Sequence, residues 1–140
     1  MNSAAARAAT PKHLWLVGGL GLLWNSMGAL DYSMTKLGNQ AYLKDVPPDV
    51  LAAVAGFPAW ATAAWAVGVW GSFLGSVLLL LRSRHALSAF LASLAGLAVN
   101  TYSRHLGGLP TFSALGAMIW GVLLVMIWYS ARQKAAGVLR

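Results

Sequence analysis

Only three side chains in this sequence carry a carboxylate, Asp31, Asp45 and Asp49, and there is no glutamate. Asp31 closes an apolar run in "WNSMGALDYSMT" and shares that stretch with Asn25 and Tyr32. A carboxylate beside so much apolar sequence can carry a proton, hold a solute or pair with a base, because leaving it bare in lipid costs roughly 2.5–3.5 kcal/mol. Two bases, Arg104 and His105, follow a later apolar run that carries Asn100. Three readings follow. Asp31 tethers its helix to the connection bearing Arg104 and His105, or Asn25, Asp31 and Tyr32 line an outward-facing polar site, or Asp31 is simply solvated at the interface.

Other chemistry is poorly supplied. The chain lacks cysteine, which excludes disulfides, thiolate metal sites and a cysteine nucleophile. His13, His85 and His105 form no HExxH or similar ligand pair, and His13 and His85 stand beside basic residues that suit headgroup contact. Phosphate loops, nucleophile elbows and dinucleotide fingerprints are absent. No enzyme, metal or cofactor is expected. Of seven tryptophans, Trp15, Trp60 and Trp128 fall where an aromatic interfacial belt would lie, and Trp24, Trp65, Trp70 and Trp120 fall deeper.

The elements that must position these residues follow from composition. Hydrophobic residues make up 59% of the 140 and charged residues 9%. A soluble domain of this size could not hide that much apolar surface, so the expected solvent is a bilayer. The net charge of +7 arises from small groups between apolar runs, not from a stripe or tail, and nucleic acid is not an expected partner.

Four apolar segments, about 14–35, 59–81, 86–102 and 112–129, have the length of bilayer-spanning helices. The expected fold is all-α: one integral membrane domain over 1–140, built as a four-helix bundle. Placing the N-terminus inside puts Arg7, Lys12, Arg82, Arg84, Arg132, Lys134 and Arg140 in the cytoplasm and leaves Lys36, Lys44 and Arg104 outside. That asymmetry predicts both termini inside, on a multi-pass protein of a cytoplasmic membrane. Residues 1–11 read as a disordered tail, 131–140 as a second tail, and 36–57 as an outer loop. Within that loop Pro48, Asp49 and Gly56 frame a short interfacial helix over 48–55. "SRHLGGLP" reverses the chain through its glycines and Pro110.

On a helical wheel Gly18, Gly21, Asn25, Gly28, Tyr32 and Thr35 form one stripe, with Leu16, Leu20, Leu23, Met27 and Leu30 opposite and facing lipid. Ala89, Ser93, Gly96, Asn100 and Ser103 form a matching stripe on the third segment. Small residues allow close helix approach and Ser or Asn can bond across it, so Gly18, Gly21, Gly28, Ser93 and Gly96 are packing candidates. The two stripes are expected to meet. Gly71 and Gly75 add a GxxxG pair that suits packing within the bundle or, less readily, a dimer face.

The ordered motifs "WNSMGALDYSMT", "FPAW" and "LLLLRSRHA" resemble a family of small four-helix bacterial membrane proteins, some labelled sugar transporters. The resemblance runs from about residue 14 to 84 and continues more loosely to the C-terminus; the "SRHLGGLP" connection is shorter here than in many members. It implies a bacterial inner membrane and carries over no catalytic residue. Two functions stand open: a structural or accessory component whose partner is a second copy or another membrane protein, and a small-solute transporter, sugar or proton-coupled, with its site at Asp31.

Overall fold

The computed structural model of the chain describes residues 9–109 and 113–139. Of these, 81% are helical and none is in a strand. The elements are α1 (Lys12–Leu37), α2 (Gln40–Leu43), α3 (Pro48–Ala55), α4 (Ala59–Leu80), α5 (His85–Leu106) and α6 (Ala114–Ala135). The expected short helix has the bounds predicted for it, and α2 is an addition. The tail over 1–8, Pro110, Phe112 and Arg140 lie outside the described residues.

Local chemistry sets the boundaries. Gly38 ends α1 in the left-handed region at φ 68°, and the Asn39 amide reaches back to the carbonyl of Met34. Pro48 opens α3 with Asp49 in its first turn, and Pro58 caps α4. The Ser113 hydroxyl accepts the Gly116 amide at 3.0 Å, so α6 begins on a side-chain cap. Arg82 holds φ 56° just past α4, a position that favours glycine, and its guanidinium donates to the Thr10 hydroxyl at 2.7 Å.

Three helices, α4, α5 and α6, are long and apolar enough to cross a membrane. At 26 residues α1 is the longest of the described helices but is not among them; it carries His13, Asn25 and Asp31 in or beside its apolar stretch. Leu16, Leu20, Leu23 and Met27 of α1 are about 60% exposed, as are Leu115 of α6 and Trp128. Large apolar side chains pointing outward fit a lipid solvent.

The closest helix packing runs α1, α4, α5, α6, with α4 against both α1 and α5, and α6 returns to α1 through side chains, Met126 against Gly21 and Tyr129 against His13. This corrects the expectation that the α1 and α5 stripes meet. Each stripe faces α4 instead, on opposite sides of it. A Cβ at Gly18 would stand 2.6 Å from Leu80 Cδ2, and one at Gly96 would stand 2.6 Å from the Ala64 carbonyl oxygen. Gly71 and Gly75 also face α5: their Cβ positions lie 3.2 Å from Ser93 and 2.8 Å from the Phe90 ring. Glycine is needed at Gly71, Gly75 and Gly96, where the neighbours are backbone or the buried Phe90 ring, whereas Gly18 meets only the flexible end of Leu80 and its neighbour Leu79.

The core sits at the end that carries both described chain ends. Leu14, Leu79, Ala86, Phe90 and Tyr129 are buried there, and Val138 and Leu139 fold back to join them. The segment after 131 is therefore not a free tail: α6 continues to Ala135, Gly137 turns at φ 80°, and Val138 and Leu139 are buried in the core.

Candidate functional site

The most connected polar feature is a thread of hydrogen bonds at mid-length of three helices. Asn25 of α1 donates through Nδ2 to Ser76 Oγ at 2.7 Å and to the Ser72 carbonyl at 3.1 Å, both on α4. Ser72 Oγ lies 2.6 Å from Ser93 Oγ of α5, and Ser93 Oγ lies 2.6 Å from the Gly68 carbonyl. Each hydroxyl has one proton, and Ser72 Oγ also lies 2.9 Å from the Gly68 carbonyl, so either serine can donate across the pair while the other donates to that carbonyl.

The sequence folds this way because small residues recur on α4. Gly68, Gly71, Ser72, Gly75 and Ser76 fall at helical spacing in an uncharged run. They let α5 approach until a serine reaches a backbone carbonyl that already serves the α4 helix. In membrane proteins such contacts contribute on average about 0.6 kcal/mol each. The thread thus draws α1, α4 and α5 together. It contains only an amide and hydroxyls, so it holds no group that gains or loses a proton near neutral pH.

Asp31 sits elsewhere. It is exposed, and its Oδ1 accepts the Tyr42 hydroxyl at 2.7 Å. Tyr42 is placed by its own backbone, whose amide donates to Asn39 Oδ1 at 2.9 Å and so starts α2. The hydrogen bond to Asp31, then desolvation, then the carboxylate's charge hold the Tyr42 phenol above its ordinary value of 10.0. Asp31 therefore tethers α1 to the following loop, not to the connection after α5. Among the described residues it makes no ion pair with Arg104 and no hydrogen bond with His105.

The remaining predicted residues do not gather around it. Tyr32 packs edge-on against Trp65 of α4, with ring centroids 4.8 Å apart. Asn100 and Arg104 are half-buried on α5 and His105 is exposed in its last turn, where positive charge suits the helix end. Gly28 has open space where a Cβ would be, so its packing role is corrected, while Gly18, Gly21, Ser93 and Gly96 all lie in helix contacts.

Two cavities lie away from Asp31. One, of about 370 Å³, opens beside α3 and is lined by Ala53, Phe57, Trp60, Ser103 and Leu106. The other, of about 440 Å³, is an apolar crevice between α1 and α6. Sequence reasoning missed Ser72, Ser76 and Tyr42. For the serines the signal was present, since "GSFLGS" places two Gly-Ser pairs one turn apart. No protein family, curated protein or solved structure matches this chain.

Proposed function

We propose that the chain is a small integral membrane bundle with a structural or accessory role beside another membrane component. In this reading all of α1, α4, α5 and α6 cross the bilayer. At about 1.5 Å per residue, α1 exceeds the ~30 Å hydrocarbon core. Its Asn25 amide nitrogen donates both protons to α4 and its Asp31 lies near one end bonded to Tyr42, which lowers the cost of insertion. The basic residues favour both termini in the cytoplasm. The motif order that resembles small four-helix bacterial proteins favours a bacterial inner membrane.

One observation carries the functional reading. The polar groups in the middle of the bundle bond to one another across helices, and the carboxylate nearest them turns outward onto Tyr42. A solute pathway would need such groups facing a water-filled space. No enzymatic activity is proposed.

The test sets two assays side by side. Purification in mild detergent from native membranes should bring down one stoichiometric membrane partner or a homo-oligomer, unchanged by Asp31→Asn. Proteoliposomes holding the protein should move neither labelled sugars nor protons faster than empty vesicles. Flux that Asp31→Asn abolishes would overturn this reading in favour of a transporter.

A further inference from the structure

The crevice between α1 and α6 has a defined floor, a defined length and a charged mouth. Its floor is where the helices touch. His13 Nδ1 and the Tyr129 hydroxyl share a hydrogen bond, and Met126 fills the space that a side chain at Gly21 would occupy. From there the crevice runs along Val17, Leu20, Trp24 and Met27 on α1, faced by Val122 and Met126 on α6. These α1 positions step by three and four residues, so they form one stripe on one turn-by-turn face.

From Val17 to Met27 the stripe is about 15 Å long at 1.5 Å per residue. That is about half of a ~30 Å hydrocarbon core, the depth of one leaflet. The floor contacts hold α6 against α1, and a crevice of about 440 Å³ is too small for a helix about 10 Å across, which needs roughly 1,200 Å³ over this length. A single hydrocarbon chain is the narrower occupant that fits.

The mouth is basic. Lys12 precedes His13, and Arg132 follows Tyr129 by three residues, on the same side of α6. The Arg132 guanidinium stands 5.3 Å from the Trp128 ring centroid, which holds its charge at this end. No acidic residue occurs in α1 before Asp31 or anywhere in α6.

We propose that this crevice is a specific site for an anionic phospholipid of the leaflet on the side of Lys12 and Arg132. One acyl chain lies along Val17 to Met27 against Val122, and the phosphate sits between Lys12 and Arg132. The inference rests on the membrane reading above and adds a defined ligand class to it.

The full-length protein, released from nanodiscs of palmitoyl-oleoyl phosphatidylglycerol or phosphatidylcholine, is weighed by native mass spectrometry. One retained phosphatidylglycerol per chain is expected, favoured about tenfold over phosphatidylcholine by the basic mouth. Val122→Trp, which fills the crevice, should remove that adduct. Lys12→Gln with Arg132→Gln, both exposed and compatible with folding, should remove the preference, and Lys36→Gln with Lys44→Gln at the other end should keep it. Equal retention of both lipids overturns the site, as does an adduct that survives both the Val122 and the Lys12/Arg132 changes. A lipid-free dimer also overturns it, since a second copy would then own the crevice. A chain found in the soluble fraction without detergent would refute the membrane reading itself. A membrane-extracted chain with no lipid preference would refute only the lipid site.

Discussion

Gly96→Ala places a methyl carbon 2.6 Å from both the Ala64 carbonyl oxygen and the Gly68 amide nitrogen, and 3.1 Å from Gly68 Cα. All three are backbone atoms of α4 and cannot rotate away. Restoring a contact of roughly 3.5 Å requires α5 to back off from α4 by about 1 Å. Overpacking of this kind costs about 1–3 kcal/mol. The same movement stretches the 2.6 Å contacts of Ser93 with Ser72 and Gly68. Those two bonds add about 1 kcal/mol at the average membrane value. Alanine returns up to about 1 kcal/mol of helix propensity, so the net loss is about 1–3 kcal/mol.

Gly28→Ala is the internal comparison, because nothing lies within 4 Å of its Cβ position. It keeps the propensity gain with no clash and should be neutral or stabilising by up to about 1 kcal/mol. Reversible unfolding by dodecyl sulfate in mixed micelles, followed by circular dichroism, measures both. If the two variants agree within about 0.5 kcal/mol, close backbone contact at Gly96 is refuted as the reason for glycine there.

Two further outcomes follow from the polar contacts. Asn25→Ala should lower stability by about 1–2 kcal/mol in the same assay, and a cycle with Ser76→Ala should return about 0.6 kcal/mol of coupling. The Tyr42 phenol is held above 10.0, chiefly by its bond to Asp31, so folding favours its protonated form. The stability it contributes is fully present below pH 10, its unfolded value, and is lost as pH rises through its folded value. Absorbance at 295 nm should show an ionisation in the wild type that Asp31→Asn moves down toward the ordinary range and Tyr42→Phe removes.

Much of the fold was legible because strong apolar runs and proline or glycine boundaries act locally. Pro48, Asp49 and Gly56 framed α3 correctly, and the outward leucines of α1 followed from helical period alone. The partner of each small-residue stripe was not legible. The α1 stripe with Asn25 and the α5 stripe with Ser93 are alike in spacing, and matching them to each other was natural. In the fold α4 stands between them, because its own Gly and Ser residues serve both sides. Asp31 was misassigned for a related reason. Arg104 and His105 offered complementary charge, but Gly38 turns the chain so that Tyr42, eleven residues on, reaches the carboxylate first. Val138 and Leu139 looked like the end of a basic tail, and only the turn at Gly137 sends them into the core.

The architecture rests on α4 lying between α1 and α5, and the absence of native cysteine makes that directly measurable. Cysteine pairs are introduced in native membranes at Asn25 with Ser76, Ser72 with Ser93, and Gly28 with Gly96, and mild oxidation is applied. The first two pairs join side chains 2.7 Å and 2.6 Å apart and should form disulfides readily. The Gly28–Gly96 pair should not. Efficient crosslinking of Gly28 with Gly96, with little at the other two pairs, would place α1 directly on α5 and contradict the architecture from which the rest follows.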